Sequence, residues 1–415
     1  MVNREMKDSG VEWIGEIPSS WDTIKLKYLC NIKTGDKDTI NREEGGIYPF
    51  YVRSPHIERI NSYSFDGEAI LTAGDGVGAG KVFHYVNGKF DYHQRVYNLH
   101  NFKFINSRYL FYYLKYNFIR EVEQGTAKST VDSIRLPMLQ NFRVVTPPIE
   151  QQQKIAAFLD EKVAHIDNII EDTKQSIESL KAYKQSLITE TVTKGLDPEV
   201  EMKDSGVEYI GNIPSHWNSS KLKYQLKSPL KYGANESGLD YDKHKPRYIR
   251  ITDILENNKL TSTNRQSLEE DVAQEYILKV GDLLFARSGA TAGKTYMVNE
   301  ETPHSAFAGY LIKGEVEDLN VSNYVYYYSL SKSYEEWKNS IVIQATIQNI
   351  GAEKYANMFL PIPPKDELIA IVEYLNKKSE SIDLILKSKR RLLSELDLFK
   401  KSLIYEYVTG KKEVK

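Results

Sequence analysis

The sequence MKDSGVEWIGEIPSSW at Met6–Trp21 returns as MKDSGVEYIGNIPSHW at Met202–Trp217. When Met6–Leu29 is aligned without gaps on Met202–Gln225, 17 of 24 positions are identical. Repetition on this scale predicts two copies of one structural unit. Three further blocks recur in the same order: ILTAGDGVGAGK (Ile70–Lys81) with LLFARSGATAGK (Leu283–Lys294), SRYLFYYL (Ser107–Leu114) with SNYVYYYS (Ser322–Ser329), and PPIEQQQKIAAFLDEK (Pro147–Lys162) with PPKDELIAIVEYLNKK (Pro363–Lys378).

The two copies agree at their ends and differ in the middle, where Cys30–Ala69 shows little similarity to Gln225–Asp282. A common scaffold with different central segments is typical of a duplicated protein whose halves must recognise different targets. Neutral drift of a loop-rich region would leave a similar pattern.

The composition indicates a cytosolic protein of more than one domain. A chain of 415 residues, 41% of them apolar, is too long for one ordinary core. No apolar run reaches the roughly 18 residues that span a bilayer, and MVNREMKDSG lacks the apolar stretch of a secretory signal. The single cysteine, Cys30, excludes an internal disulfide and a thiolate zinc cluster. We therefore expect a cytoplasmic location.

The charge is balanced overall but uneven along the chain. The net charge of −2 argues weakly against a nucleic-acid partner. However, Lys81–Arg143 holds 10 basic and 4 acidic residues, and Lys221–Arg265 holds 10 basic and 5 acidic residues. A phosphate backbone responds to the local electrostatic potential of a protein surface rather than to its net charge, so these stretches favour DNA contact. Ordinary scatter of surface charge is the alternative.

Each half ends in a long periodic segment. After Pro147-Pro148, and again after Pro363-Pro364, apolar residues recur at steps of three and four, which predicts a helix of some 40 residues, or about 60 Å. A helix of that length cannot bury its apolar stripe in a small domain. We therefore expect the two helices to pair as an antiparallel coiled coil within the chain. The alternative is that each helix packs separately on its own domain.

The loops AGKV and AGKT invite comparison with a phosphate-binding loop. That motif requires glycine where Asp75 and Ser288 stand, and a hydroxyl where Val82 stands. We interpret both loops as Gly-rich turns after apolar strands, which would let the backbone approach a nucleic-acid groove closely. Six cations near these turns or in the variable middles are the candidate DNA contacts: Lys81, Arg95, Arg287, Lys294, Lys231 and Arg250.

Other chemical patterns are incomplete. The Pro-Pro pairs lack the amide or acid and the aromatic residue that adenine methyltransferases use. His84, His93 and His100 lack metal-ligand spacing, and no nucleophile lies beside a base in any recognisable motif. The tyrosine clusters recur in both copies, which favours packing over stacking on bases. We predict a protein without catalytic residues and without a metal site.

The duplicated architecture resembles the specificity subunit of type I restriction–modification systems. The resemblance covers essentially the whole chain, and its best carriers are VVTPPIEQQQKIAAFLDEKVAHID, FLPIPPKDELIAIVEYLNKKSESID and the two Gly-rich loops. It implies an α+β fold with two tandem α/β target-recognition domains, separated by two long helices that form an intramolecular antiparallel coiled coil with pseudo-two-fold symmetry. The implied domains are 1–146 and 196–361 for recognition, and 147–195 and 362–415 for the spacer helices.

The resemblance also implies partners. Each recognition domain would read one half of a split DNA site, while the helices would set the spacing and dock two methyltransferase (modification) subunits, which restriction (translocase–nuclease) subunits join. S-adenosylmethionine, ATP and Mg would act in those partners, with no cofactor in this subunit. A coiled-coil adaptor that joins two proteins without touching DNA is the rival hypothesis. The helix positions expected to serve docking are Ile155, Leu159, Ile166, Ile371, Leu375 and Ile382.

Overall fold

The computed structural model describes residues 4–126, 133–342 and 349–414 and divides the chain into two compact units. Unit 1 comprises Met1–Lys174 and Arg390–Lys415, and unit 2 comprises Gln175–Lys389. Both mix strands with helices, which confirms the predicted fold class. None of the helices in the described ranges combines the length and apolarity needed to cross a bilayer.

Unit 1 is built on a six-stranded sheet of order β4-β9-β7-β8-β5-β6. The elements that begin in unit 1 are β1 (Met6–Asp8), β2 (Glu16–Pro18), β3 (Asp22–Lys25), β4 (Asn31–Thr34), β5 (Tyr48–Tyr51), β6 (Ile57–Ile60), β7 (Phe65–Ala73), β8 (Phe83–Tyr92), β9 (Val96–His100), α1 (Ser107–Thr126), α2 (Leu136–Asn141), β10 (Arg143–Thr146) and α3 (Ile149–Lys194).

Unit 2 divides its central strands between two four-stranded sheets, β14-β21-β18-β19 and β15-β17-β16-β20. The elements that begin in unit 2 are β11 (Met202–Asp204), β12 (Asn212–Pro214), β13 (Asn218–Lys221), β14 (Lys231–Tyr232), β15 (Leu239–Asp240), β16 (Arg247–Ile249), β17 (Gln266–Ser267), α4 (Glu270–Ala273), β18 (Leu283–Ala286), β19 (Thr295–Met297), β20 (Ser305–Phe307), β21 (Leu311–Gly314), α5 (Leu319–Tyr328), α6 (Lys332–Val342), α7 (Ala352–Ala356), β22 (Phe359–Ile362) and α8 (Lys365–Val408).

The repeated opening motif forms the same structure in both units. It folds as the hairpin β1–β2 in unit 1 and β11–β12 in unit 2. The strand that follows then pairs antiparallel with the last strand of its half, β3 with β10 and β13 with β22. The beginning and the end of each half are therefore held together by main-chain hydrogen bonds.

The motif also forms a socket for a helix end, made of Pro18, Trp21 and Gly410 in unit 1. The buried Trp21 donates its indole N–H to Gln151 Oε1 at 2.8 Å, at the start of α3. Gly410, just past the end of α8, has φ +74° and lies so close that a Cβ there would stand 2.5 Å from Pro18 Cδ. Trp21 therefore joins the start of one long helix to the end of the other.

The socket of unit 2 consists of Pro214, Trp217 and Gly195 and follows the same plan. Trp217 donates its indole N–H to a carboxylate oxygen of Glu367, at the start of α8. Gly195 ends α3 at φ +80°, with Trp217 Cζ2 3.1 Å from the position of a Cβ. The sequence Lys194-Gly195, a basic residue followed by glycine, is typical of a helix end, and the helix ends there.

Buried tyrosines hold the same junctions from inside. The hydroxyl group of Tyr109 lies 2.9 Å from Val145 O and 2.8 Å from Val408 O. That of Tyr324 lies 2.9 Å from both Pro361 O and Val192 O. Burial raises the pKa of both phenols well above its usual value, so they stay protonated donors. The predicted packing role of these clusters is confirmed.

The long helices pair antiparallel, as predicted. In unit 1 the ring centroids of Phe158 in α3 and Tyr407 in α8 are 4.5 Å apart. Lys400 Nζ in α8 also donates to Asp167 Oδ1 in α3 at 2.7 Å. In unit 2 Lys184 Nζ donates to Asp383 Oδ1 at 2.7 Å. Helix ends also pack in the core of each unit, so the alternative of separate packing holds for those ends alone.

Candidate nucleic-acid interface

A Gly-rich turn follows the central strand of each unit, as predicted. Turn 1 (Gly74–Lys81) follows β7 and contains a short 3-10 helix at Gly76–Gly78, while turn 2 (Arg287–Lys294) follows β18 and contains the equivalent helix at Gly289–Thr291. Gly76 and Gly289 have φ values of +73° and +76°, which only glycine adopts readily. The backbone of the turn is therefore common to both units.

Turn 1 lies unusually close to two neighbouring segments. A Cβ on Gly74 would stand 2.9 Å from the carbonyl oxygen of Arg95, and one on Gly78 would stand 2.3 Å from that of Arg53. Only glycine permits these approaches, which bring Asp75 between the two arginines.

The side chains converge where the backbones meet. Arg53 Nη1 lies 3.0 Å from Asp75 Oδ1, and Arg95 Nη1 contacts Asp75 Oδ2. Burial opposes ionisation of Asp75, but the hydrogen bonds from Arg95 and Arg53 outweigh it and lower the pKa of this carboxyl group. Asp75 is therefore a charged partner that holds both guanidinium groups.

A buried, neutral histidine holds the backbone beside this cluster. His93 is buried, and its Nδ1 accepts the backbone N–H of Arg95 at 2.9 Å. Burial lowers the pKa of His93, so the ring stays neutral and available as an acceptor. It fixes the backbone from which the Arg95 side chain extends.

Turn 2 has the same backbone and different side chains. Arg287 takes the place of Gly74, Ser288 that of Asp75 and Thr291 that of Gly78. The Arg287 guanidinium lies over the ring of Tyr232 at 5.0 Å, and its Nε–H donates to Asn349 Oδ1 at 3.3 Å. No carboxylate occupies the Asp75 position in unit 2.

Turn 2 instead borders a cavity of about 560 Å³. Arg250 lines it and is held by the buried Asp253, with Nε 3.2 Å from Oδ2 and Nη2 3.0 Å from Oδ1. This hydrogen bonding raises the pKa of Arg250, which stays charged. The other polar lining residues include Asn235, Gln266, Ser288, Thr291 and Tyr310.

The remaining predicted DNA contacts are scattered. Lys81 is exposed at the end of turn 1, and Lys231 is exposed on β14, next to the Tyr232 that stacks on Arg287. Lys294 is half-buried, and its ammonium group donates to the carbonyl oxygen of Ile254 at 2.6 Å. The structure therefore places Lys81 and Arg95 at turn 1, and Arg287 and Arg250 about turn 2, while Lys294 serves the fold.

The six helix positions expected to serve docking are buried. Their side chains are between 0% and 6% exposed because they already pack within the chain, which leaves them little surface for a partner; the six are Ile155, Leu159, Ile166, Ile371, Leu375 and Ile382.

Sequence reasoning missed Arg53 and the role of Asp75. In the sequence Asp75 serves only to exclude a phosphate-binding loop, and Arg53 lies 22 positions before it. The acid between two glycines was the available signal, but its partners depend on the pairing of the strands. Among the residues that the structure describes, no group of three His, Cys, Asp or Glu side chains is arranged to hold a metal ion.

Known proteins with similar sequences have the same duplicated organisation. The family described as "Type I restriction modification DNA specificity domain" matches the chain twice, over residues 18–179 and 214–394. The chain is 22% identical to the type I restriction enzyme EcoDI specificity subunit of Escherichia coli, over 95% of this chain and 89% of that protein. It is 24% identical to the MjaVIII specificity subunit of Methanocaldococcus jannaschii, over 96% and 94%.

The fold also has solved counterparts. A chain from a study of "complex assembly and conformational transition of the type I R-M system" matches with a TM-score of 0.70 at 16% identity, over 95% of this chain and 99% of that one. The HsdS subunit from Thermoanaerobacter tengcongensis matches with a TM-score of 0.50 at 15% identity, over 95% and 98%. At these identities the likeness shows a common fold.

Proposed function

We propose that this chain, which belongs to the type I restriction modification DNA specificity family, reads a bipartite DNA site, with one half-site for each unit. Family membership makes it the subunit that recognises the DNA target, and the catalytic activities lie in other subunits. It also decides against the adaptor hypothesis, because an adaptor without DNA contact has no use for two specificity domains.

The observation that carries the bipartite proposal is that the two units have the same framework but different side chains about their Gly-rich turns. Both units contain the same opening hairpin, socket and tyrosine junction, so they have the same framework. Turn 1 presents two arginines held by Asp75, whereas turn 2 presents Arg287 beside the cavity that contains Arg250. Two surfaces with different donors and acceptors suit two different base sequences. We assign recognition to residues 1–146 and 196–361.

We assign partner docking to the exposed faces of the long helices. Leu384 and Ile385 in unit 2, and Leu398 and Phe399 in unit 1, are large apolar side chains left exposed on α8. Exposed apolar surface of this kind fits a protein partner. We propose that two methyltransferase subunits bind these helices and that restriction subunits join them. S-adenosylmethionine, ATP and Mg then belong to the partners.

The proposal is tested by sequencing methylated adenines in DNA from cells that produce the full chain with its methyltransferase partner. A motif of two defined half-sites with an unread spacer is expected. Gel shift with and without that partner, at stated salt, tests DNA contact directly. Methylation without a split motif would contradict the bipartite proposal.

Helix length tests the role of the spacer. We expect that seven residues inserted after Leu180, with seven more after Leu386 to keep the helices paired, lengthen the spacer and leave both half-sites unchanged. Seven residues add about 10 Å, or roughly three base pairs, and two helical turns keep the apolar face in place. Substituting seven exposed positions of α3 without changing its length is the control. An unchanged spacer would refute the assignment.

A further inference from the structure

The two guanidinium groups at Asp75 lie open to solvent. Asp75 contacts both of them, and Asp38 adds a weaker attraction on Arg95. The Asp75 side chain is 16% exposed, whereas those of Arg53 and Arg95 are 45% and 61% exposed. Each arginine approaches Asp75 through Nη1, and each guanidinium has five N–H donors in a rigid fork. The larger part of each fork therefore faces solvent.

The position of this cluster is held by backbone as well as by charge. Gly74 and Gly78 lie against the carbonyl groups of Arg95 and Arg53, and a side chain at either glycine would separate the segments. His93 fixes the Arg95 backbone N–H. Three segments of unit 1 are thereby locked in one arrangement, which suits the directional recognition of a base more than a diffuse attraction to phosphate.

We propose that Arg53 and Arg95 are specificity-determining residues of unit 1, that each donates two hydrogen bonds to O6 and N7 of a guanine, and that Asp75 is their positioning residue. A two-pronged arginine–guanine pair is the commonest specific contact in the major groove. This inference rests on the proposed function, because it names what turn 1 reads within its half-site.

Two features favour a base over a phosphate. The Asp75 carboxylate repels phosphate oxygens, so a site evolved to bind the DNA backbone would lose by including it. Val77, at the tip of turn 1, is 89% exposed between two glycines, and an apolar tip has no partner on a phosphate. It fits a base edge, where a thymine methyl group offers apolar contact.

Unit 2 lacks this device. Ser288 stands in place of Asp75. The backbone N–H of Arg287 donates to the carbonyl oxygen of Tyr310, in the way that the N–H of Gly74 donates to the carbonyl oxygen of Arg95 in unit 1. The proposed guanine contacts therefore belong to one half-site, and the other half-site provides an internal reference in every experiment.

The test uses the full chain with its methyltransferase partner and two readouts: the methylated motif, and binding to a randomised duplex library at fixed salt. Arg53→Lys and Arg95→Lys keep the charge but lose the fork. We expect each to relax one guanine position of the same half-site, with discrimination there falling about 5- to 150-fold. Asp75→Asn is expected to relax both positions. Arg42→Lys, at an exposed arginine that is paired with Glu58, is the control and should change nothing.

Several outcomes would overturn the inference. If the lysine variants keep the motif while Arg53→Ala and Arg95→Ala weaken binding to all sequences equally, the arginines contact phosphate. A responsive half-site without a G·C pair, or a two-part motif that no variant changes, also rejects it and leaves the proposed function standing. If the wild-type complex methylates no defined motif, the proposed function fails and the inference fails with it.

Discussion

The sockets and the Gly-rich turns are both duplicated, but the two pairs have diverged to different degrees. Trp21 and Trp217 make the same contacts with a helix end and a helix start in their own units. Turns 1 and 2 have the same 3-10 helix and the same positive-φ glycine. In the alignment, however, Asp75 corresponds to Ser288 and Gly74 corresponds to Arg287. Residues that hold the frame face inward and are constrained by packing, whereas turn residues face solvent and are free to acquire different chemistry.

Substitutions in the sockets should lower the stability of the chain the most. We expect Trp21→Ala and Trp217→Ala each to destabilise their own unit by about 3–5 kcal/mol, because each removes the largest buried side chain at its helix junction. Hydrogen–deuterium exchange should show lost protection in the hairpin of the mutated unit and in the helix end it holds. Tyr28→Ala and Tyr224→Ala, at exposed equivalent positions, are the matched controls. Unequal losses in the two units would show that the two sockets do not contribute equally to stability.

A buried charge pair distinguishes the central strands. Lys313 in β21 lies 3.6 Å from the buried Asp282, whereas Asn98 in β9 occupies the equivalent position of unit 1. We expect Lys313→Met to cost about 3–5 kcal/mol, because it leaves a buried carboxylate without its partner. Asn98→Leu should lower the free energy of unfolding by less than about 1.5 kcal/mol, because it leaves no buried charge without a partner. Urea unfolding at pH 7 measures both, and Lys279→Met, at an exposed lysine, is the control.

The pH dependence of the Lys313→Met variant has a defined sign. Burial raises the pKa of Asp282, while the Lys279 backbone N–H and Lys313 lower it. Without Lys313 the folded-state pKa rises further above the unfolded value, so proton uptake favours the folded state. The deficit should therefore be full above the folded-state pKa and shrink as pH falls through it. A deficit that grows on acidification would contradict this account.

The two helix-end glycines should differ in their tolerance of a side chain. Gly195→Ala should cost about 1–2 kcal/mol through left-handed strain, whereas Gly410→Ala should cost about 3 kcal/mol, because its Cβ would also collide with Pro18 and Trp21. Thermal unfolding measures the difference. Gly206→Ala, which has a positive φ and open space around it, isolates the strain. Equal costs at 195 and 410 would show that the two sockets are equally tight.

Lys81, at the end of turn 1, should show the least effect. Lys81→Ala should weaken DNA binding a few-fold on all sequences, lower the salt dependence by about one counterion and leave assembly with the methyltransferase intact. Fluorescence anisotropy over a salt series measures the slope. Equal loss of methyltransferase binding, or a changed motif, would remove the contrast with Arg53 and Arg95.

The duplicated frame follows from the sequence alone. Identity between Met6–Leu29 and Met202–Gln225, the steps of three and four along the helices and the Gly stop at Gly195 are local or repeated signals. Each depends on residues a few positions apart, or on two copies that must pack alike. The fold class, the antiparallel helices and the buried tyrosines were therefore predictable, and so was the family.

Which side chains meet depends on the tertiary structure. Arg53 and Arg95 reach Asp75 because strand pairing brings their segments to one turn, and nothing local in the sequence records that pairing. The same holds for Lys294, which lies on a Gly-rich loop but donates to the carbonyl oxygen of Ile254. Partners distant in sequence are set by strand register and by packing, so the frame could be predicted from the sequence and the reading surface could not.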